Sequence, residues 1–228
     1  IFLEKYLINR GISEILLLKG WILISNTLTL WKRSSLKLPI SISFFKSLLD
    51  EHINLTSTLT SLVPLTLYNK FKGLCEPILQ DYLDDSFTGV IIRPATVCGY
   101  SPRQRFDLVV NTMAKNAYYN KEIIVNGGEQ WRPNIHVDDI TDLYVNLLNQ
   151  PNKEIAGKIW NAGYQNNKVK EIAEIVQNVI GNNSVEIVVT PTDDNRSYHI
   201  SSEKIKMELG FKPKRSIEDA VADLKKAF

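Results

Sequence analysis

The pair of residues with the clearest chemical meaning in this sequence is Tyr68 and Lys72, which are four positions apart. On a helix, residues i and i+4 share one face, so the phenol and the ammonium would be neighbours. A free phenol has a pKa of about 10, and a nearby positive charge favours the phenolate. Such a group can act as a general base towards an alcohol or sugar hydroxyl whose carbon gives up hydride. A Tyr-X-X-X-Lys match is common, and its alternative interpretation is a solvated helix face.

Further motifs surround this pair in a characteristic order. They are residues 64–67 (PLTL), 91–99 (IIRPATVCG), 132–140 (RPNIHVDDI), 194–196 (DNR) and 204–213 (KIKMELGFKP). Together these strings resemble the extended short-chain dehydrogenase/reductase family, which contains the NAD-dependent nucleotide-sugar epimerases and dehydratases. The resemblance covers residues 64–228.

The resemblance implies a role for each residue that matches the family's motifs. Tyr68 would be the catalytic base, and Lys72 would tune it and hold the nicotinamide ribose. The turn that contains Pro94, Thr96 and Val97 resembles the loop that closes over the nicotinamide. Thr96 would also contact the substrate, although many members have Asn at this place.

Three further positions complete the implied site. The family has a catalytic Ser or Thr upstream of the tyrosine, and Ser43 lies at a plausible distance for that role. Arg132 and Arg196 match arginines that grip the diphosphate of a nucleotide-sugar. Guanidinium suits this task because its planar fork makes bidentate bonds to phosphate oxygens. A surface ion pair is the alternative for each arginine, and no metal-ligand spacing joins the histidines to the cysteines.

Helical and strand-like periods alternate after the tyrosine, which predicts a parallel α/β sheet. Strands are expected at 89–92, 122–125, 134–137, 158–161 and 185–189, and helices at 67–83, 106–117, 140–148, 169–180, 201–209 and 217–228. Pro77 should kink the first helix or end its first part. Gly127-Gly128 should form a turn between two strands, and Asp138-Asp139 should cap a helix. We interpret His136 and Cys98 as packed structural side chains.

With the resemblance, this pattern implies an incomplete Rossmann-like parallel sheet with a smaller α/β substrate domain at the C-terminal side. We assign residues 1–98 to a partial cofactor-side domain. Residues 99–228 then form mainly the substrate-side domain, with 132–163 returning to the Rossmann-like sheet.

Composition limits the class of protein and changes sharply near residue 63. The 228 residues are 44% hydrophobic and 23% charged, which excludes a disordered, collagen-like or membrane-bundle protein. A net charge of +2 is too small to predict nucleic acid or a membrane as partner. Two cysteines predict a reducing compartment, the cytoplasm.

Residues 1–63 contain no Ala and one Val. We therefore hypothesise that they derive from a frameshifted, misassembled or decayed reading frame. In that case the family's N-terminal part is truncated or altered.

Two functions stay open because the cofactor fingerprint is missing. A complete member begins with a Gly-X-X-Gly-X-X-Gly turn, whereas Gly11 and Gly20 are the only glycines before Tyr68. The first function is an NAD- or NADP-dependent epimerase/dehydratase acting on a nucleoside-diphosphate sugar. The resemblance implies that a dehydratase would have an acidic pair upstream of the tyrosine, near the position of Ser43. No Asp or Glu lies between Glu14 and Asp50, so epimerisation is favoured over dehydration. The second is a non-catalytic remnant or pseudoenzyme that keeps part of a nucleotide-sugar pocket. A homodimer is expected from the resemblance alone.

Overall fold

The computed structural model describes residues 67–84, 87–181, 184–193 and 196–228. Its helices are α1 Leu67–Asp81, α2 Val109–Asn120, α3 Val137–Asn149, α4 Asn152–Ile155, α5 Val169–Gly181, α6 Glu203–Leu209 and α7 Ile217–Ala227. Its strands are β1 Ile91–Pro94, β2 Thr96–Cys98, β3 Glu122–Asn126, β4 Trp131–His136, β5 Ile159–Ala162, β6 Gln165–Lys168 and β7 Glu186–Thr190. Within these residues, no helix is both long and apolar enough to cross a membrane.

The strands pair mainly in parallel. β1 pairs with β5, β2 with β4, and β3 with β7, all in parallel register. β6 adds to β4 as an antiparallel strand. Parallel pairs need crossover connections, and helices take part in them here, for example α2 in the connection from β2 to β4. The predicted α/β class with an incomplete Rossmann-like parallel sheet is therefore confirmed.

A single residue separates two of the sheets. Ala95 lies between β1, which pairs with β5, and β2, which pairs with β4. Its backbone N–H donates to the carbonyl of Ala162 at 2.8 Å, and its side chain is buried. The backbone therefore stays hydrogen-bonded at Ala95, where it passes from one sheet into the next, and this bond helps to fix its path there.

Two apolar clusters hold the helices on these sheets. One cluster joins α2, α5 and α7 to β3, and the other joins α3 and α6 to β1, β4 and β5. α3 shows the sequence pattern that produces such packing. Its buried apolar residues are spaced i, i+3, i+4, i+7 and i+8, and they are Ile140, Leu143, Tyr144, Leu147 and Leu148. Each large side chain buried in this way contributes roughly 1.5–3 kcal/mol.

The structure excludes one of the two effects expected of Pro77 and confirms the glycine turn. Pro77 does not end the helix, since α1 runs from Leu67 to Asp81 with the proline inside it, and the expected kink stays a prediction. Pro77 is exposed, so water can hydrate the backbone carbonyl that loses its partner. Gly127 and Gly128 do form a turn, with φ of 76° and 111°. The strands on either side of this turn do not pair with each other, because β3 pairs with β7 while β4 lies between β2 and β6.

Candidate functional site

The tyrosine and the lysine of the proposed catalytic pair lie on one uninterrupted helix. Tyr68 is the second residue of α1, and Lys72 follows one turn later. Their spacing therefore occurs in the helical context that places positions i and i+4 on one face. The next position in this series is Glu76, whose side chain is buried. Ser43, the upstream hydroxyl predicted from the family, lies outside the described residues.

Glu76 connects the tyrosine helix to the first strand. Its carboxylate accepts hydrogen bonds from Arg93 Nε at 2.8 Å and from Arg93 Nη2 at 2.6 Å. Both side chains are less than a tenth exposed. No motif in the sequence predicts this pair. The available signals were the position of Glu76 one turn beyond Lys72 and a lone arginine in an otherwise apolar strand.

The predicted nicotinamide turn follows Arg93 directly. Pro94 and Thr96 are buried, and Val97 is half-buried. Among the described residues, the Thr96 hydroxyl has no hydrogen-bond partner although it is enclosed. Thr96 is in register with Asn134 on β4, whose enclosed Oδ1 likewise lacks a partner in this part of the chain. A buried polar atom without a partner is costly, so these two oxygens mark a place suited to a hydrogen-bonding ligand.

The buried side-chain amide of Asn111 forms hydrogen bonds to the loop that continues from this turn. Asn111 is buried, and its Oδ1 accepts the backbone N–H of Gly99 at 3.1 Å while its Nδ2 donates to the carbonyl of Arg105 at 3.0 Å. Gly99 has a φ of 105°, and a Cβ at this position would lie 3.1 Å from His136 Nε2. Glycine is therefore required there by conformation and by space. No sequence pattern marks Asn111, which resembles any other polar residue of a helix.

The two arginines predicted to bind diphosphate meet at the start of β4. Arg132 Nη1 donates to the backbone carbonyl of Arg196 and, at 3.0 Å, to that of Trp131. The Arg132 guanidinium carbon lies 5.5 Å from the centre of the Tyr198 ring, within the range of a cation–π interaction. Tyr198 also donates its backbone N–H to the Trp131 carbonyl at 3.3 Å. The structure thus brings Arg132 and Arg196 together although 64 positions separate them, and Tyr198 is a neighbour that sequence reasoning missed.

His136 and Cys98 have structural roles, as predicted. His136 Nδ1 accepts the backbone N–H of Asp138 at 3.1 Å, and its Nε2 lies 3.5 Å from an oxygen of Asp223. His136 is therefore the N-cap of α3, and the expectation that Asp138-Asp139 caps this helix is wrong. The aspartates instead lie in the first turn, where the positive end of the helix dipole stabilises their negative charge. Burial raises the pKa of the Cys98 thiol to about 12, so this cysteine is inert at neutral pH.

Asp139 is engaged elsewhere, in a partly buried network of hydrogen bonds. Its Oδ2 accepts the backbone N–H groups of Lys214 and Arg215 at 2.9 Å each, and its Oδ1 accepts from Arg215 Nη1 at 2.8 Å. The pKa of Arg215 is raised, because hydrogen bonds to Asp142 and Asp139 outweigh the opposing effect of its partial burial. This network ties α3 to the segment before α7. Among the described residues, no cluster of His, Cys, Asp and Glu could hold a metal ion.

Three solved structures are similar to this chain. UDP-glucuronic acid 4-epimerase from Bacillus cereus matches with a TM-score of 0.68 and 21% identity, over 82% of this chain and 62% of the other. dTDP-glucose 4,6-dehydratase from Bacillus anthracis matches with a TM-score of 0.68 and 21% identity, over 81% and 60%. Pal from Bacillus thuringiensis matches with a TM-score of 0.65 and 25% identity, over 80% and 58%. This chain therefore spans about three fifths of the length of these proteins.

A family comparison covers part of the candidate site. The sequence model of the NAD dependent epimerase/dehydratase family matches residues 49–163, half of the chain. The matched range begins before residue 64, where the motif resemblance begins, and contains Tyr68, Lys72, the turn after β1 and Arg132. The chain belongs to the NAD dependent epimerase/dehydratase family.

Proposed function

We propose that this protein is an NAD- or NADP-dependent enzyme that acts on a nucleoside-diphosphate sugar, with epimerisation favoured over dehydration. The observation that carries the proposal is the family match over residues 49–163, which includes the tyrosine helix, the turn after β1 and the strand that bears Arg132. The preference for epimerisation follows from the absence of any acidic residue between Glu14 and Asp50.

The proposed diphosphate site is the meeting point of Arg132 and Arg196. The hydrogen bond from the Arg132 guanidinium to the Arg196 backbone keeps two cationic residues close together. A diphosphate carries negative charge on both phosphates, and two guanidinium groups can offer it charge-assisted hydrogen bonds. The aromatic ring of Tyr198 lies beside the Arg132 guanidinium and helps to hold it there through a cation–π interaction.

The turn after β1 fits the nicotinamide end of a dinucleotide. Pro94 and Val97 supply apolar surface, and the enclosed Thr96 hydroxyl has no partner in the described part of the chain. A bound nicotinamide would supply the capacity to accept and return hydride. In this assignment, Tyr68 takes the proton from the sugar hydroxyl at its phenol oxygen, Lys72 favours the phenolate and binds ribose, and Thr96 orients the ligand. Ser43 is proposed as the additional hydroxyl of the catalytic group.

Calorimetric titration of the whole chain tests this proposal. We expect NAD⁺ or NADP⁺ to bind in this titration. A turnover assay with a panel that includes UDP-glucuronic acid, UDP-glucose and dTDP-glucose should then find at least one sugar that is converted. Tyr68→Phe should abolish turnover with little change in sugar affinity, and Arg132→Ala should weaken that affinity. Arg105→Ala is the matched control, because this exposed arginine pairs with Asp107. Full turnover by Tyr68→Phe would remove the tyrosine from its assigned role.

The second candidate is a non-catalytic protein that keeps part of a nucleotide-sugar pocket. It is favoured by one observation, the absence of the glycine fingerprint before Tyr68. The same titration separates the two candidates. Sugar binding without binding of either dinucleotide would support the non-catalytic protein, whereas dinucleotide binding with conversion of a sugar would support the enzyme.

The proposed assembly is a homodimer that pairs through α1. Its proposed location is the cytoplasm, because the chain has only two cysteines. Leu74, Ile78 and Tyr82 are about half exposed and follow one another at intervals of four residues along and just beyond α1. Such an apolar stripe favours burial against a second copy. Light scattering should give the mass of two chains, and Ile78→Glu should shift it towards one.

A further inference from the structure

We propose that Glu76 and Arg93 are positioning residues, whose buried ion pair fixes the rotation and height of α1 against β1. The pair would thereby set where Tyr68 and Lys72 stand relative to the turn that follows β1. This inference rests on the proposed function, because it assigns the pair a role in the same site.

The contact has the geometry needed to fix a helix. Two nitrogens of the Arg93 guanidinium donate to the two oxygens of the Glu76 carboxylate, at 2.8 Å and 2.6 Å. A fork-to-fork arrangement of this kind satisfies both bonds in one relative orientation only. An apolar contact at the same place would tolerate sliding and rotation. Because both side chains are buried, solvent cannot replace either bond when the helix moves.

The helix carries this constraint to the tyrosine. With a rise of about 1.5 Å per residue, Lys72 lies about 6 Å and Tyr68 about 12 Å along the axis from Glu76. A side-chain tip about 5–6 Å from the axis moves by about 2 Å when the helix rotates by about 20°. Misplacement of a reacting group by about 1 Å can lower a rate by about 100-fold. Small rotations that Glu76 prevents would therefore matter to a base on α1.

The other end of the pair is equally well fixed. Arg93 belongs to β1 and lies in register with Asn161 of β5. The residue after it, Pro94, ends the strand, and Ala95 is hydrogen-bonded to Ala162. The same ion pair thus joins the helix of the catalytic tyrosine to the strand that leads into the proposed nicotinamide turn.

The test replaces the ion pair without emptying its site. The double variant Glu76→Met/Arg93→Met keeps comparable volume in apolar form, a change that buried pairs often tolerate without loss of stability. The second variant, Glu76→Asp, keeps the charges and shortens the link by one C–C bond, about 1.5 Å. The control is Asp139→Asn, which weakens another ion pair, between the buried Asp139 on α3 and the partly exposed Arg215 in the segment before α7.

Steady-state kinetics with the converted nucleotide-sugar give the first readout. We expect the double variant to fold, to keep its KM within about threefold, and to lose about 10- to 100-fold in kcat. Glu76→Asp should lose kcat in the same selective way, and it carries the test if the double variant does not fold. Asp139→Asn should lower the melting temperature without a selective loss of kcat. A folded variant of the pair with unchanged kcat, or an equal kcat loss in the control, would overturn the inference.

A structural readout keeps this test separate from the proposed function. If the wild-type chain converts no nucleotide-sugar, the proposed function fails while the positioning role is judged from coordinates. Crystal structures of the wild type and the folded pair variant would then be superposed on β1 and β5. A shift of about 1 Å or more in the backbone of Tyr68 and Lys72 supports the inference, and an unmoved helix refutes it.

Discussion

Replacement of Asp139 with alanine should be among the most destabilising single changes in the described part of the chain. The carboxylate is almost fully buried and accepts three hydrogen bonds, two of them from backbone N–H groups at Lys214 and Arg215. Alanine would remove all three bonds at once. The two backbone donors would be left without this acceptor in a partly buried place, so the loss includes their desolvation.

The size of the effect follows from these contacts. Removal of one partner from a buried ion pair costs about 3–5 kcal/mol. The lower part of that range applies here, since the Arg215 side chain is 32% exposed and also contacts Asp142 at 3.3 Å. We therefore expect a loss of about 3 kcal/mol in the free energy of unfolding. For a protein of this size, this corresponds to a fall of about 6–12 °C in melting temperature.

Urea unfolding and calorimetry of three variants would check the reasoning. Asp139→Ala should be worst, because it removes the ion pair and both backbone bonds. Asp139→Asn should cost less, since its amide oxygen can still accept from the backbone. Arg215→Ala should also cost less, because Asp139 keeps both backbone N–H donors. The reasoning is refuted if Arg215→Ala destabilises the protein as much as Asp139→Ala does.

Three further predictions concern single residues. The Cys98 thiol is buried and its pKa is raised to about 12, so it should stay unmodified by Ellman's reagent at about pH 8 until urea unfolds the chain, as mass spectrometry can show. Gly163→Ala should cost about 1–3 kcal/mol through overpacking, since a Cβ there would lie 2.6 Å from Ile200 Cδ1. In the control Gly210→Ala, with φ of 68° and no atom within 4 Å, only backbone strain should appear, and equal losses would contradict the packing argument. The pKa of Asp219 is lowered, chiefly by the backbone N–H of the α7 N-cap, so its contribution to stability is complete above the usual carboxyl pKa of about 4 and is lost as the pH falls through the lowered value. Urea unfolding of wild type and Asp219→Asn should therefore differ at neutral pH and converge once the pH falls below the lowered pKa, and a constant difference would contradict this assignment.

Periodicity was sufficient to predict the elements with strong amphipathic patterns. α5 was expected at 169–180 and forms Val169–Gly181, and α7 was expected at 217–228 and forms Ile217–Ala227. Both helices bury one apolar face, which the spacing of Val, Ile, Ala and Leu reveals directly. The strand at 134–137 was placed too late, since β4 already begins at Trp131. Its first residues, Trp131, Arg132 and Pro133, show no apolar alternation, and they pair with the polar strand β6.

The candidate site likewise contains some residues that the sequence predicts and others that it does not. Motif spacing led to Arg132 and Arg196, and the structure brings them into contact. Motif spacing does not reveal Asn111 or Tyr198, whose importance depends on partners far away in the sequence. For Glu76 it indicates only a position on the tyrosine helix, one turn beyond Lys72. A glutamate on a helix usually faces solvent, and only the packing of α1 against β1 shows that this one is buried.

The segment from Arg196 to Ser202 has a consequence for how the protein folds. It contacts Trp131, Arg132, Gly163 and Asn166, partners that precede it by 34 to 66 positions. Long loops must close before such contacts can form, so they belong to the late stage of folding. During synthesis, the ribosome would release this segment after the strands that it braces. We therefore expect the arginine pair to be assembled after the helices, and the proposed capacity to bind diphosphate to appear in refolding more slowly than helical structure.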